Sequence, residues 1–272
     1  MLFRSLSEDL LTTFAKVPLL DHYDIYQHLM DYWAETMQDD CYLITADGWI
    51  EAAKPRLLVD DKTKKTKEKP DFTVGKKKYF AELIPPALVI ARYFPKEQTA
   101  IEKLETEIAA FQQQLEELDE EHSGEDGLLE DARNDKDKLT KASVAVRLNE
   151  IKGDKDAADE RKVLTKYLAL SEEETTASAA LKAAQERLME KVLQQYAKLT
   201  EDNIKTLVVD DKWLVTLAAA VQGELDRVSQ TLTGRIRQLA ERYATPLPQL
   251  IDEVAKLAAK VDGHLEKIRR HA

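Results

Sequence analysis

Apolar positions along the chain recur mostly at three and four residues, the spacing of one face of a helix. Leu6, Leu10 and Phe14 set such a face on a short helix over Ser5–Lys16. Asp21 then opens a stronger one, in which Tyr23, Tyr26, Leu29, Met30, Trp33 and Met37 form one stripe and Asp39-Asp40 closes it. The pattern changes at Cys41-Tyr42-Leu43-Ile44-Thr45, a run of β-formers followed by the turn signal Asp47-Gly48. Further strands are expected at Leu57-Leu58-Val59, Asp71–Val74 and Tyr79–Ile84, with Gly75 turning between the last two. A small antiparallel sheet packed on the first helices follows from this. Pro85-Pro86 suits a helix start, because proline in the first turn forfeits no intrahelical bond, and Pro95 breaks or kinks the chain after Ala87–Phe94.

Beyond Pro95 the helical period dominates. Ile101, Leu104, Ile108, Phe111, Leu115 and Leu118 alternate by three and four, an a/d seam flanked by Glu and Gln, predicting a helix over Lys96–Glu121. The run His122–Gly127 stops it. A shorter helix over Thr140–Ile151 has Thr140 as N-cap, and Gly153-Asp154 turns the chain again. Asp156–Leu199 reads as one long helix striped by Leu164, Tyr167, Ala177, Leu181, Ala184, Leu188, Val192 and Leu199. Folded back on the preceding helices, it makes an antiparallel coiled-coil hairpin with its tip near 122–155.

Thr200 resembles a cap, and Asp210 or Asp211 is expected to cap the next helix. That helix carries Leu214, Leu217, Val221, Leu225, Val228, Leu232, Ile236, Leu239 and Tyr243. Pro248 starts the last one, with Leu250, Val254, Leu257, Val261, Leu265 and Ile268. Two helices rarely bury a core alone, so these stripes call for further helices. The expected fold is mainly α. It comprises a mixed α/β region with a small antiparallel sheet over 1–95, a coiled-coil arm over 96–200, and a C-terminal helical hairpin for subunit docking over 201–272.

Composition narrows the function. Of 272 residues 33% are charged and 43% hydrophobic, with only 8 glycines and 8 prolines, as long helices with solvated faces require. The net charge of −11 excludes nucleic-acid binding through the average field. One stretch departs from that average. Lys62, Lys64, Lys65, Lys67, Lys69, Lys76, Lys77 and Lys78 face only Glu68 and Asp71, a local +6 that leaves −17 for the remainder. Such a cluster is a solvated turn, a phosphate contact with DNA, or a dock for an acidic partner. Arg227, Arg235 and Arg242 share one face of their helix, either solvated or ion-paired with another subunit. A single cysteine, Cys41, leaves no disulfide framework and suits a reducing cytoplasm. No apolar run reaches the ~18–20 residues of a membrane span, and Glu8 and Asp9 interrupt the first residues where a signal sequence would lie. A soluble cytoplasmic protein is the expectation.

No chemistry-bearing motif stands out. No two glycines are spaced as G-x-G, and no phosphate loop occurs. His22 and His28 do not share a helix face, and neither C-x-x-C nor H-x-x-x-H is present, so no metal site is expected. Ile84-Pro85-Pro86-Ala87 invites comparison with the N-P-P-[YF] loop that holds a flipped adenine. Isoleucine cannot bond the amino group, however, and alanine cannot stack on the base. Cys41, among apolar neighbours with no base beside it, reads as a structural thiol.

Several runs nevertheless resemble one family in order and in detail. They are Leu6–Leu11, Tyr23–Asp40, Asp47-Gly48-Trp49, Glu82–Leu88, Leu207–Trp213 and Ala220–Leu225. Together they resemble the region following the catalytic domain in the modification (methyltransferase, M) subunit of type I restriction–modification systems. The resemblance extends over essentially the whole chain. It implies a parent enzyme that transfers a methyl group from S-adenosylmethionine to adenine N6 in DNA, with two M subunits flanking one specificity subunit. The catalytic motifs of that family lie upstream of the matched part. The expectation is therefore a C-terminal fragment that is not itself an enzyme and binds no cofactor, S-adenosylmethionine belonging to the catalytic domain. The implied partners are the specificity subunit, a second M subunit, the restriction subunit and DNA. The alternative is a stand-alone coiled-coil scaffold that dimerises and never touches DNA.

Overall fold

A computed structural model describes residues 2–58, 69–124, 127–134, 138–154 and 157–271. The fold is mainly helical with one small antiparallel sheet. It divides into two compact units, one made of residues 1–39 and 213–272, the other of 40–212. The cuts fall inside the first and third of the sequence segments, and the arm lies wholly in the second unit.

In the first unit, α1 (Leu2–Phe14) packs on α2 (His22–Tyr32), and α2 packs on α9 (Val215–Arg242). The Asp21 side chain caps α2 by accepting from the Tyr23 amide at 2.8 Å, satisfying a donor the helix start leaves free. Ile25 and Leu29 are fully buried, whereas Tyr23, placed on the same stripe by its spacing, is exposed. The last helix, α10 (Leu247–His271), follows a short turn.

Asp39-Asp40 does not close the first stripe. A π-helical turn, Trp33–Met37, runs directly into α3 (Gln38–Ala52). Cys41–Thr45, expected as a strand, is helical, and the Asp47-Gly48 signal marks only an interruption, with Gly48 at φ 77° inside α3. The strands that do form are β1 (Arg56–Leu58), β2 (Phe72–Val74) and β3 (Lys77–Phe80). β3 is central and antiparallel to both neighbours, pairing Leu57 and Phe72 with Tyr79, and Leu58 and Thr73 with Lys78. The partner of the sheet is α7 (Ala158–Tyr196), against which β2 packs. Buried Phe72 stacks between Tyr79 and Tyr196, with ring centroids 5.3 and 6.2 Å away.

α4 (Pro86–Tyr93) begins with proline at its first position, as Pro85-Pro86 foretells, and Pro95, expected only as a break or kink, also opens α5 (Pro95–His122). α5 and α7 form the arm. Glu97 pairs with Lys191 at 2.8 Å, and Gln112 reaches Glu174 at 3.4 Å. Partner numbers fall as α5 advances, so the two helices are antiparallel. Ile101, Ile108 and Leu118 from α5, with Leu164, Leu188 and Val192 from α7, are buried along the seam.

The tip has its own core of Leu118, Leu129, Ala132, Val144, Ile151 and Leu164. Gly127 lets the chain double back onto the end of α5, where a Cβ would collide with the His122 carbonyl. Thr140 caps α6 (Lys141–Glu150) in a reciprocal box with Ser143. Arg147 bonds Glu160 at 2.7 Å and Asp131 at 2.8 Å, and Arg161 donates to the carbonyls of Ile151 and Asp154. The tip is thus cross-linked by charged bonds around an apolar centre.

At the other end of the arm, Tyr196 donates its hydroxyl to the Ile84 carbonyl at 2.5 Å, and burial followed by the nearby charge of Asp71 pushes its pKa up. Thr200 caps α8 (Glu201–Lys205). Neither Asp210 nor Asp211 starts a helix. A π-helical segment, Thr206–Leu214, carries the chain from α8 into α9 without a break.

Candidate functional site: an uncovered apolar seam

The stripe on α9 changes character along its length. Leu217, Val221, Leu225 and Val228 are half-buried on the side occupied by α2. Buried Glu224 lies among them and accepts two bonds from Arg227, which also stands 3.7 Å from Asp24 on α2. The Arg227 guanidinium holds the Glu224 carboxyl below the usual carboxylate range. Arg227, a candidate for pairing with another subunit, is therefore engaged within the chain. Arg235 and Arg242 remain exposed, the first bonded to Gln238 and the second 5.7 Å over the ring of Tyr243.

From residue 229 to residue 270 every side chain is exposed. Leu232, Ile236 and Leu239 continue the α9 stripe into solvent. On α10, Leu250, Val254, Leu257, Val261, Leu265 and Ile268 lie on one side at helical spacing, and Val254 and Ile268 are each 65% exposed. The expected hairpin does not close its stripes on each other. Leu214, at the root of the stripe, is exposed as well. Exposed apolar patches on this scale mark interaction surfaces, because burial of each such side chain is worth about 1.5–3 kcal/mol.

The lysine candidates separate. Lys62, Lys64, Lys65 and Lys67 lie outside the described residues. Lys69, Lys76, Lys77 and Lys78 are exposed, the last three on the β2–β3 turn and the start of β3.

A cluster that periodicity did not flag lies around Lys212. Its ammonium bonds both oxygens of Asp40 at 2.8 and 2.7 Å and the Leu83 carbonyl at 2.9 Å, with the pair almost wholly buried. Next to it Asp211 takes Arg92 at 2.7 Å. Ile84-Pro85-Pro86 thus sits in a structural joint, the Leu83 and Ile84 carbonyls already accepting from Lys212 and Tyr196. The available signal was a charged triplet, Asp210-Asp211-Lys212, between Leu207-Val208-Val209 and Trp213.

The remaining chemistry is muted. Cys41 is half-buried, and burial reinforced by Asp40 pushes its thiol up, away from the reactive thiolate. A cleft of about 370 Å³ beside α3 is lined by Glu51, Lys54, Arg56, Phe80 and Glu82. Its charges pair among themselves, Lys54 with Glu51 and Arg56 with Glu82, and Arg56 also covers the Phe80 ring. Among the described residues no three His, Cys, Asp or Glu side chains group to hold a metal, and no helix is long and apolar enough to cross a membrane. Comparison with protein-family models, curated proteins and solved structures finds no match to this chain.

Proposed function

We propose that this chain is a non-catalytic assembly and DNA-embracing region of a type I restriction–modification adenine-N6 methyltransferase subunit, and that it docks the specificity subunit through α9 and α10. The family assignment draws on the sequence resemblance. The docking role draws on one observation, the apolar seam from Leu232 to Ile268 left in water. In this reading the complex is cytoplasmic and includes a second modification subunit, and S-adenosylmethionine binds elsewhere in the enzyme. Helices of the partner would complete a bundle over the two stripes, and burial of that apolar surface would drive association.

The rival reading is a stand-alone scaffold dimerising through its coiled coil. The a/d seam of α5 counts against it, because α7 of the same chain already fills that seam.

Co-expression with a type I specificity subunit from the same source, followed by gel filtration with light scattering, tests the proposal. The chain should co-elute with that subunit. V254D/L257D should weaken the complex at least about 100-fold, because two carboxylates would be buried without partners. Unimpaired co-elution of that variant would remove α10 from the interface.

A further inference from the structure

We propose that the β2–β3 turn grips the phosphate backbone of duplex nucleic acid without reading its sequence. The inference rests on the charge and geometry of the turn and does not depend on docking by α9 and α10.

Val74 pairs with Lys77, so Gly75-Lys76 is a two-residue hairpin loop. Gly75 has φ 61°, and Lys76 is not in the positive-φ region, which makes this a type II′ turn, with glycine where the left-handed conformation is required. The chain then enters the central strand, where Lys77 pairs with Val74 and Lys78 is held on both sides, by Leu58 and Thr73. The loop therefore fixes the backbone from which three consecutive lysines project. Lys77 and Lys78 leave opposite faces of the sheet, with Lys76 at the apex. Thr73, exposed, lies directly across from Lys78 and adds a hydroxyl donor on that face.

None of the three lysines has a carboxylate partner among the described residues. What sets them apart is that they are consecutive and sit on one turn, whereas Lys54, Lys162, Lys191, Lys205 and Lys212 are each paired with a carboxylate. Three uncompensated cations on a fixed hairpin form a site for a polyanion. A protein partner fits less well. Lysine is depleted from the cores of protein interfaces, whose energy comes from buried aromatic and arginine anchors, and the apex offers none. Lysine and threonine side chains are common contacts to phosphate oxygens, which position a duplex and carry no sequence information. With net negative charge elsewhere, contact should stay local and weak, engaging about three phosphates.

The test is fluorescence anisotropy of the full chain with labelled 20-base-pair duplexes of unrelated sequence, titrated across salt concentration. Binding at low salt should be equal for all sequences, and log K should fall against log salt with a slope of about −3. K76Q/K77Q/K78Q should weaken binding at least about 10-fold and flatten the slope by about 2–3, whereas K76R/K77R/K78R should retain both. An unchanged affinity in the glutamine variant overturns the proposal. So does a wild-type chain that ignores DNA but binds polyglutamate, which would assign the turn to an acidic protein. Co-elution of the glutamine variant with the specificity subunit should be unaffected, so failure here and failure of the docking reading are separable.

Discussion

Lys212 shows how one side chain can hold distant segments of sequence together. An ammonium has three donors, and here two carboxylate oxygens of Asp40 and the Leu83 carbonyl take all three. Burial of both ions is tolerable only because this accounting closes. K212M would leave the Asp40 carboxylate buried without its cation, at a cost of about 3–5 kcal/mol, read as a lower urea midpoint. D40N/K212M should recover part of that loss, since no lone charge remains. A midpoint unmoved by K212M would mean the pair is not coupled to folding. The neighbouring Arg92–Asp211 pair is far more exposed, at 42% and 29%, and its removal should move the midpoint much less than K212M does. Adjacent positions of one segment thus differ several-fold in weight because of burial, although each contributes a single ion pair.

At the level of elements, the tip of the arm behaves as a small folded body. Leu164 is fully buried in a core separate from the residues that close the far end of the arm. L164A should cost about 2–5 kcal/mol. Hydrogen exchange should show the loss as faster exchange over residues 138–151, with the amides around Val192 and Tyr196 still protected; uniform loss along the arm would show one cooperative unit. The arm was legible in sequence because its seam is filled by the same chain, so a/d spacing and burial coincide along α5 and α7. Thr140, Thr200 and Pro86 announced helix starts through local bonding rules that tertiary context did not override. Cys41–Thr45 misled because its β-forming side chains sit on a helix continued from Trp33–Met37. A π-helical turn inserts an extra residue and slips the phase of the stripe, so a 3.6-residue period fails there. The same device over Thr206–Leu214 made Asp210 and Asp211 look like caps, when Asp211 is engaged with Arg92. For the candidate site, sequence gave the α10 stripe but not the division of the α9 stripe at Val228. That division depends on α2, almost two hundred residues earlier.

Across the whole molecule, the longest uncovered apolar stripes among the described residues lie over 229–270, and that asymmetry has a consequence for the isolated protein. The apolar face of α10 stands in water, so the helix lacks the packing that supplies most helical stability in proteins. α10 also contains Gly263, which costs about 1 kcal/mol relative to alanine in a helix interior. Its opening free energy should therefore lie near the bottom of the range in the protein, and that of the α5–α7 seam near the top. In the free chain, amides of residues 247–270 should exchange quickly while those of Ile108 and Leu188 stay protected for far longer. G263A should slow exchange of α10 modestly, since nothing lies within 4 Å of the added methyl and only helix propensity changes. Binding of a partner that covers Leu250, Val254 and Leu257 should raise protection of these residues well beyond what G263A achieves, because covered apolar surface adds to propensity. Slow exchange of α10 in a dilute monomer, insensitive to any partner, would show the helix to be supported from within the chain and would leave the seam without a docking role.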